Sequence, residues 1–214
     1  MFPAEKQVIG DWTVGGVSRG LDRLLADPGV ELIITAGVLG SNEAGHRGEF
    51  SKPVVAPFVI DAKLQDIPHT DGTSGVRNFT YVTFPSDVVH NIRIFQSVVP
   101  FERMAYLYTP PVIEAIPELI QNLTRAVSEL DLKIDFIPVQ GDVAAAVRAI
   151  PDGVEAVYVL PLLGLDGTQS DVAIEALIER KLPTLSVVGT SEVARGKRQS
   201  KGINRLGKRY RLQG

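Results

Sequence analysis

Arg103-Met104-Ala105-Tyr106-Leu107-Tyr108 and Lys133-Ile134-Asp135-Phe136-Ile137-Pro138-Val139 decide the fold of this chain. Each is a short, near-continuous apolar run rich in β-branched or aromatic side chains. A helix-like segment lies between them. Strands of this kind are buried on both faces, the mark of a parallel sheet packed between helices. The rhythm continues downstream in Glu155-Ala156-Val157-Tyr158-Val159-Leu160 and Pro183-Thr184-Leu185-Ser186-Val187-Val188-Gly189. Upstream it gives Glu31-Leu32-Ile33-Ile34-Thr35-Ala36-Gly37, Pro53-Val54-Val55-Ala56-Pro57-Phe58-Val59-Ile60-Asp61 and Arg77-Asn78-Phe79-Thr80-Tyr81-Val82. The expected fold class is therefore α/β, with two Rossmann-like lobes and mainly parallel sheets. Open sheets of this type bind ligands beyond the carboxyl ends of their strands. Two of them in series predict an interlobe cleft.

Helical periodicity fills the intervals. Val17, Leu21, Leu24 and Leu25 share a face of a helix over 17–26, stopped by Asp27-Pro28-Gly29. Ser41 is expected to cap a helix running to about Glu49. Asp87 opens a helix that carries Val88, Ile92, Phe95, Val98 and Val99 and stops at Pro100. Further helices are predicted over about 111–130, 142–150 and 170–181. Pro57 predicts an edge or irregular position for its strand. The first lobe is expected over 1–82 and the second over 83–196, with the passage between them near 82–90 and a basic tail over 197–214.

Composition narrows the class. With 214 residues, 44% apolar and 22% charged, the chain is long enough for a real core and ordinary for a globular protein. No apolar run approaches the length of a membrane span. Met1-Phe2-Pro3-Ala4-Glu5-Lys6 has no basic or apolar signal region, so no signal peptide is expected in this chain. Cysteine is absent, which removes disulfides, thiolate metal sites and cysteine nucleophiles. The net charge of −3 hides an asymmetry: eight basic residues and no acidic one follow Glu192. The preceding part, with 14 basic and 25 acidic residues, carries −11.

The chemistry-bearing patterns are few. Gly15-Gly16-Val17-Ser18-Arg19-Gly20 precedes a helix but follows no good strand, and neither GxxxxGK[ST] nor GxGxxG occurs. His46, His69 and His90 lack metal-ligand spacing, and no GxSxG elbow is present. No catalytic set, metal or cofactor is therefore expected. The polar residues after the strands stand out instead. They are Gly37-Val38-Leu39-Gly40-Ser41-Asn42, Asp61-Ala62, Tyr108-Thr109, Gln140-Gly141-Asp142, Gly164-Leu165-Asp166-Gly167-Thr168 and Gly189-Thr190-Ser191. Glycines admit close backbone approach, and hydroxyls and carboxylates at helix starts hold polar ligands. Taken singly, the same residues also serve as caps and turns.

The order of these segments resembles the substrate-binding proteins of ABC transporters with the type I periplasmic binding fold, in the branch that includes aromatic-amino-acid-like binders. The resemblance rests on residues 24–37, Lys52-Pro53-Val54-Val55 with Asp61, residues 76–82 and residues 100–108. Ala156-Val157-Tyr158-Val159 with Asp166-Gly167-Thr168, and Lys181-Leu182-Pro183-Thr184, complete it, so that it covers about residues 8–195. It implies a non-enzymatic, solute-binding component of an importer that captures a small polar molecule between two lobes. By position, Gly40, Ser41 and Asp61 would line the first lobe, and Thr109, Asp142 and Asp166 the second. The implied partners are a small-molecule ligand and a membrane permease, in a periplasmic or extracytoplasmic location. Nucleic acid is not expected, because only Tyr210 interleaves the basic tail. The resemblance also implies that the family's first strand and helix are missing here, and that Lys197-Arg198-Gln199-Ser200-Lys201 departs from its continuation. The alternatives are a cytosolic ligand-sensing or regulatory domain of the same fold, or an α/β enzyme acting on a small substrate.

Overall fold

The computed structural model describes residues 3–83, 88–160, 162 and 164–186. The chain forms two units, each built on a parallel sheet. The first comprises the described residues up to Asn91 together with Pro111–Ala126. The second comprises Ile92–Pro110 and the described residues from Val127 onward. The expected passage at 82–90 lies partly, and the basic tail wholly, outside the described residues.

In the first unit, α1 (Val14–Ala26) starts at Thr13, whose hydroxyl accepts the Gly16 N–H at 2.9 Å. Three strands follow, β1 (Ile33–Ile34), β2 (Val54–Val59) and β3 (Phe79–Thr83), paired in parallel in that order. Ile33, Val54 and Phe79 stand side by side and point into one core with Leu21, Val30, Ala44, Phe50 and Ile67. Between β1 and β2 lies α2 (Val38–Gly45). It begins three residues before the expected cap at Ser41, because Gly37, at φ +89°, turns the chain directly off β1. Arg47 fastens α2 to α1. Its guanidinium donates to Glu43 at 2.8 Å and to the Ser18 carbonyl at 3.0 Å, and pairs with Asp22. β2 is the middle strand, and the irregularity expected of Pro57 is a register shift between Ala56 and Val59.

The second unit pairs β4 (Arg103–Tyr108), β5 (Lys133–Pro138), β6 (Ala156–Val159) and β7 (Thr184–Ser186) in parallel, in the order β5-β4-β6-β7. Side chains alternate across it as a pleated strand requires. Ala105, Leu107, Ile137, Val157 and Val159 face a core completed by Val143 and Val147 of α6 (Val143–Arg148) and Ala173 and Leu177 of α7 (Gly167–Glu179). The opposite face is aromatic: Tyr106 stacks on Tyr158 at 5.3 Å and meets Phe136 edge-on at 5.8 Å. Burial pushes the Tyr106 phenol above its ordinary pKa, with Tyr158 adding to the shift. At the amino end, Arg103 donates to both Asp135 oxygens, at 2.7 and 3.0 Å. Leu107 is fully buried in the core. Leu107→Ala is expected to lower the unfolding free energy by about 2–5 kcal/mol in a denaturant titration, as deleting a packed leucine leaves a cavity.

The remaining helices are α3 (Val88–Val98), α4 (Pro110–Ala115) and α5 (Glu118–Ser128). The single helix expected over 111–130 is thus two. Pro117 lacks the N–H that would continue α4, and its ring disfavours a helical residue before it.

The N-terminal segment is tied down by charge. Lys6 donates to Asp27 at 2.6 Å, just past the end of α1. That bond, with the Gly29 N–H, holds the Asp27 carboxyl below its usual range. A depressed native pKa means a contribution fully present above the unfolded value of about 4 and lost as pH falls through the native one. Asp27→Asn is therefore expected to flatten the acid limb of a melting-temperature against pH profile, leaving the neutral plateau lower than in the parent.

Candidate functional site

At the carboxyl edge of the first sheet, the backbone runs out of strand partners and side chains take over. Gly40 and Ser41 both lie inside α2 and are buried. A Cβ on Gly40 would sit 3.4 Å from the Thr35 backbone, so α2 lies directly on the end of β1. Ser41 is fully buried; its hydroxyl donates to the Thr35 carbonyl at 3.1 Å and accepts the Phe58 N–H at 3.1 Å. Its hydrogen-bonding thus clamps the ends of β1 and β2 together. Asp61 opens the turn over 61–66, where its Oδ1 accepts the Leu64 N–H at 2.9 Å and its carbonyl accepts the Gln65 N–H at 2.9 Å. The Asp61 side chain is half-buried.

Two buried amides complete this edge: Asn42, part of the polar stretch Gly37–Asn42 after the first strand, and Gln65, which the sequence did not single out. Gln65 is 2% exposed; its Oε1 accepts the N–H groups of Ile60 at 2.8 Å and Asp61 at 3.4 Å. Its Nε2 donates to Asn42 Oδ1 at 2.6 Å, and Asn42 Nδ2 donates to the Ala115 carbonyl at 3.0 Å. Gln65 lies in a polar stretch that reads as a solvated loop, so no sequence signal marks it.

In the second unit the carboxyl edge carries Thr109, Asp142 and Asp166. Thr109 directly follows β4, an inner strand, and is 4% exposed. Among the described residues, its Oγ1 is the buried side-chain polar atom left without a hydrogen-bond partner. Asp142 caps α6 by accepting the Ala145 N–H at 2.9 Å, and Arg148 lies 3.6 Å from its other oxygen. Asp166 caps α7 in a reciprocal box: its carboxylate accepts the Gln169 N–H at 2.8 Å, and Gln169 Oε1 accepts the Asp166 N–H at 3.0 Å. Gln169 Nε2 reaches the Gly141 carbonyl at 3.2 Å and so joins the loops after β5 and β6. The Asp-x-x-Gln spacing was the sequence signal for Gln169. Gly189-Thr190-Ser191 lies outside the described residues.

These groups offer hydrogen bonds and negative charge at the loop surface, and one buried hydroxyl. Within the described residues, no group of three or more His, Cys, Asp or Glu is placed to hold a metal ion. No described helix is long and apolar enough to cross a membrane.

No family model matches the sequence, and no curated protein is significantly similar to it. Solved structures share the fold. The ABC domain in complex with L-Trp from Streptococcus pneumoniae superposes with a TM-score of 0.63 at 14% identity, over 92% of this chain and 72% of that one. A conserved domain protein from Vibrio cholerae O1 biovar El Tor gives 0.60 at 19% identity, over 86% of this chain and 60% of that one. Both likenesses establish the α/β architecture with its parallel sheets.

The clamp by Ser41 has a measurable consequence. Ser41→Ala would leave the Phe58 N–H and the buried Thr35 carbonyl without that hydroxyl. The expected loss is about 1–3 kcal/mol of stability in chemical unfolding. Asp166→Ala, which removes a cap at an exposed helix start, is expected to cost only about 1 kcal/mol in the same assay.

Proposed function

We propose that this chain captures a small polar solute at the loops that follow its parallel strands, without transforming it. The observation that carries this reading is the Thr109 hydroxyl, buried, unpartnered and set at the carboxyl end of an inner strand. A buried hydroxyl without a partner costs stability. Such a cost is understandable where a ligand supplies the missing bond. The carboxylates of Asp166 and of Asp142, the latter paired with Arg148 at 3.6 Å, stand at the same sheet edge, and they suit a ligand that carries hydrogen-bond donors. Asp61, with Gly40 and Ser41 behind it, is the corresponding element of the first unit.

The likeness to a domain crystallised with L-Trp supports an amino-acid-like solute as the first ligand class to test. The importer role, the permease partner and the extracytoplasmic location belong to the same proposal. They rest on the resemblance of the segment order to solute-binding proteins.

Thr109→Val separates ligand recognition from folding, since valine keeps the shape and removes the hydroxyl. The ligand-free variant is expected to melt about 2–4 °C higher, the shift that relieving roughly 1 kcal/mol gives in a domain of this size. Titration calorimetry with L-tryptophan and the other natural amino acids, run on parent and variant, is expected to find one that binds the parent. That ligand should bind the variant about tenfold more weakly. A variant that melts lower, with affinity for the bound amino acid unchanged, would remove Thr109 from the site.

A further inference from the structure

The two buried amides of the first unit form a chain with a single possible direction. At one end stand the N–H groups of Ile60 and Asp61, which only donate. At the other stands the carbonyl of Ala115, which only accepts. Gln65 must therefore turn its oxygen to the turn and its nitrogen to Asn42, and Asn42 must turn its nitrogen to α4. Neither amide can flip without placing donor against donor. Both side chains are buried, at 2% for Gln65 and 8% for Asn42, so water does not compete for the bonds. Bonds in such a series polarise and strengthen one another.

The geometry points to Asn42 and Gln65 as positioning residues: an amide relay by which the C-terminal end of α4 fixes the conformation of the turn that displays Asp61. The turn's other hydrogen bonds are local, between its own residues, apart from the Ala62 N–H, which the Thr83 hydroxyl at the end of β3 accepts at 3.3 Å. Its residues lie past the register shift of β2, and Asp66 within it sits at φ +51°. α2 approaches it closely at Gly45, where a Cβ would lie 2.6 Å from the Ile67 side chain. The relay adds direction to that packing. The relay bears on the proposed solute capture only through Asp61, and its test needs no ligand, so the two readings fail separately.

The test measures amide hydrogen exchange by NMR on the full chain, with the Ile33 and Val54 N–H groups of the first sheet as controls for unfolding of the unit that holds the relay. Asn42→Ala touches neither the Ile60 nor the Asp61 N–H. It is nonetheless expected to lower the protection of both by roughly tenfold, about the factor a hydrogen bond of ordinary strength contributes. Gln65→Glu gives the second readout. A protonated glutamic acid has the acceptor and the donor that the relay requires, and the carboxylate lacks the donor. Protection of the two amides in this variant is expected to stay near the parent's at about pH 5, since burial raises a carboxyl pKa, and to fall at about pH 8. The parent's protection factors should not change between the two. Exchange at Ile60 and Asp61 that ignores Asn42→Ala would overturn the relay. So would a Gln65→Glu variant equally protected at both pH values, because the donor to Asn42 that the carboxylate lacks would then hold nothing.

Discussion

Pro57 takes β2 out of register in the middle of its sheet, and the organisation of the first unit follows from what repairs that fault. A proline cannot donate to the ladder, and the strand beyond it no longer meets its neighbour in step. The N–H groups of Phe58, Ile60 and Asp61 then need acceptors outside the ladder. Ser41 supplies one for Phe58, and the single Oε1 of Gln65 serves both Ile60 and Asp61. Those two acceptors are themselves held, Ser41 by the end of β1 and Gln65 by Asn42. A break in one strand thus recruits α2, the turn over 61–66 and α4 into a single polar arrangement. Among the described residues of the second unit the strands pair without such a shift, and ordinary helix caps follow at Asp142 and Asp166.

That contrast explains what was legible in the sequence. In the second unit, strands, helices and caps coincide with local rules, so β4, β5 and β6 lie where the apolar runs placed them. Pro117, in the segment that belongs to the first unit, splits the helix expected over 111–130 into α4 and α5, because it lacks the N–H that would continue α4. In the first unit, α2 starts at Gly37 rather than Ser41, because a glycine at positive φ released the chain earlier than a capping serine would have. Position along the chain marked Ser41 as polar and at a strand end, yet could not say that both of its hydrogen bonds turn inward. The roles of Asn42 and Gln65 were illegible for a stricter reason. Their meaning lies in partners 23 and 73 residues away, and a polar side chain announces neither burial nor direction.

The six residues marked by the sequence now divide by what their polar atoms do. Ser41 spends its hydroxyl on the fold. Asp61, Asp142 and Asp166 each use one carboxylate oxygen on a local N–H, and the other oxygen of Asp142 faces Arg148 at 3.6 Å. Thr109 alone among them has a buried polar atom with nothing to bond. A residue that caps and a residue that binds are not exclusive kinds. An Asp at a helix start has a spare oxygen by construction, and this makes strand-to-helix junctions a recurrent place for recognition in parallel sheets.

The interleaving of the two units has a consequence for how the chain is made and how it can be cut. The first unit includes residues 111–126, which lie between two strands that pair in the second. On the ribosome, the first sheet emerges well before the helix segment that takes its Asn42 side chain, so the relay closes only after β4 has been synthesised. The second sheet, in turn, gains the β4–β5 pairing only once that segment has been looped out. No single peptide-bond cleavage yields both units whole: a cut after Asn91 strips the first unit of α4, and a cut after Ala126 leaves β4 on the wrong fragment. Each unit depends on the covalent continuity of the other, so the chain should be inherited, permuted or truncated as one piece.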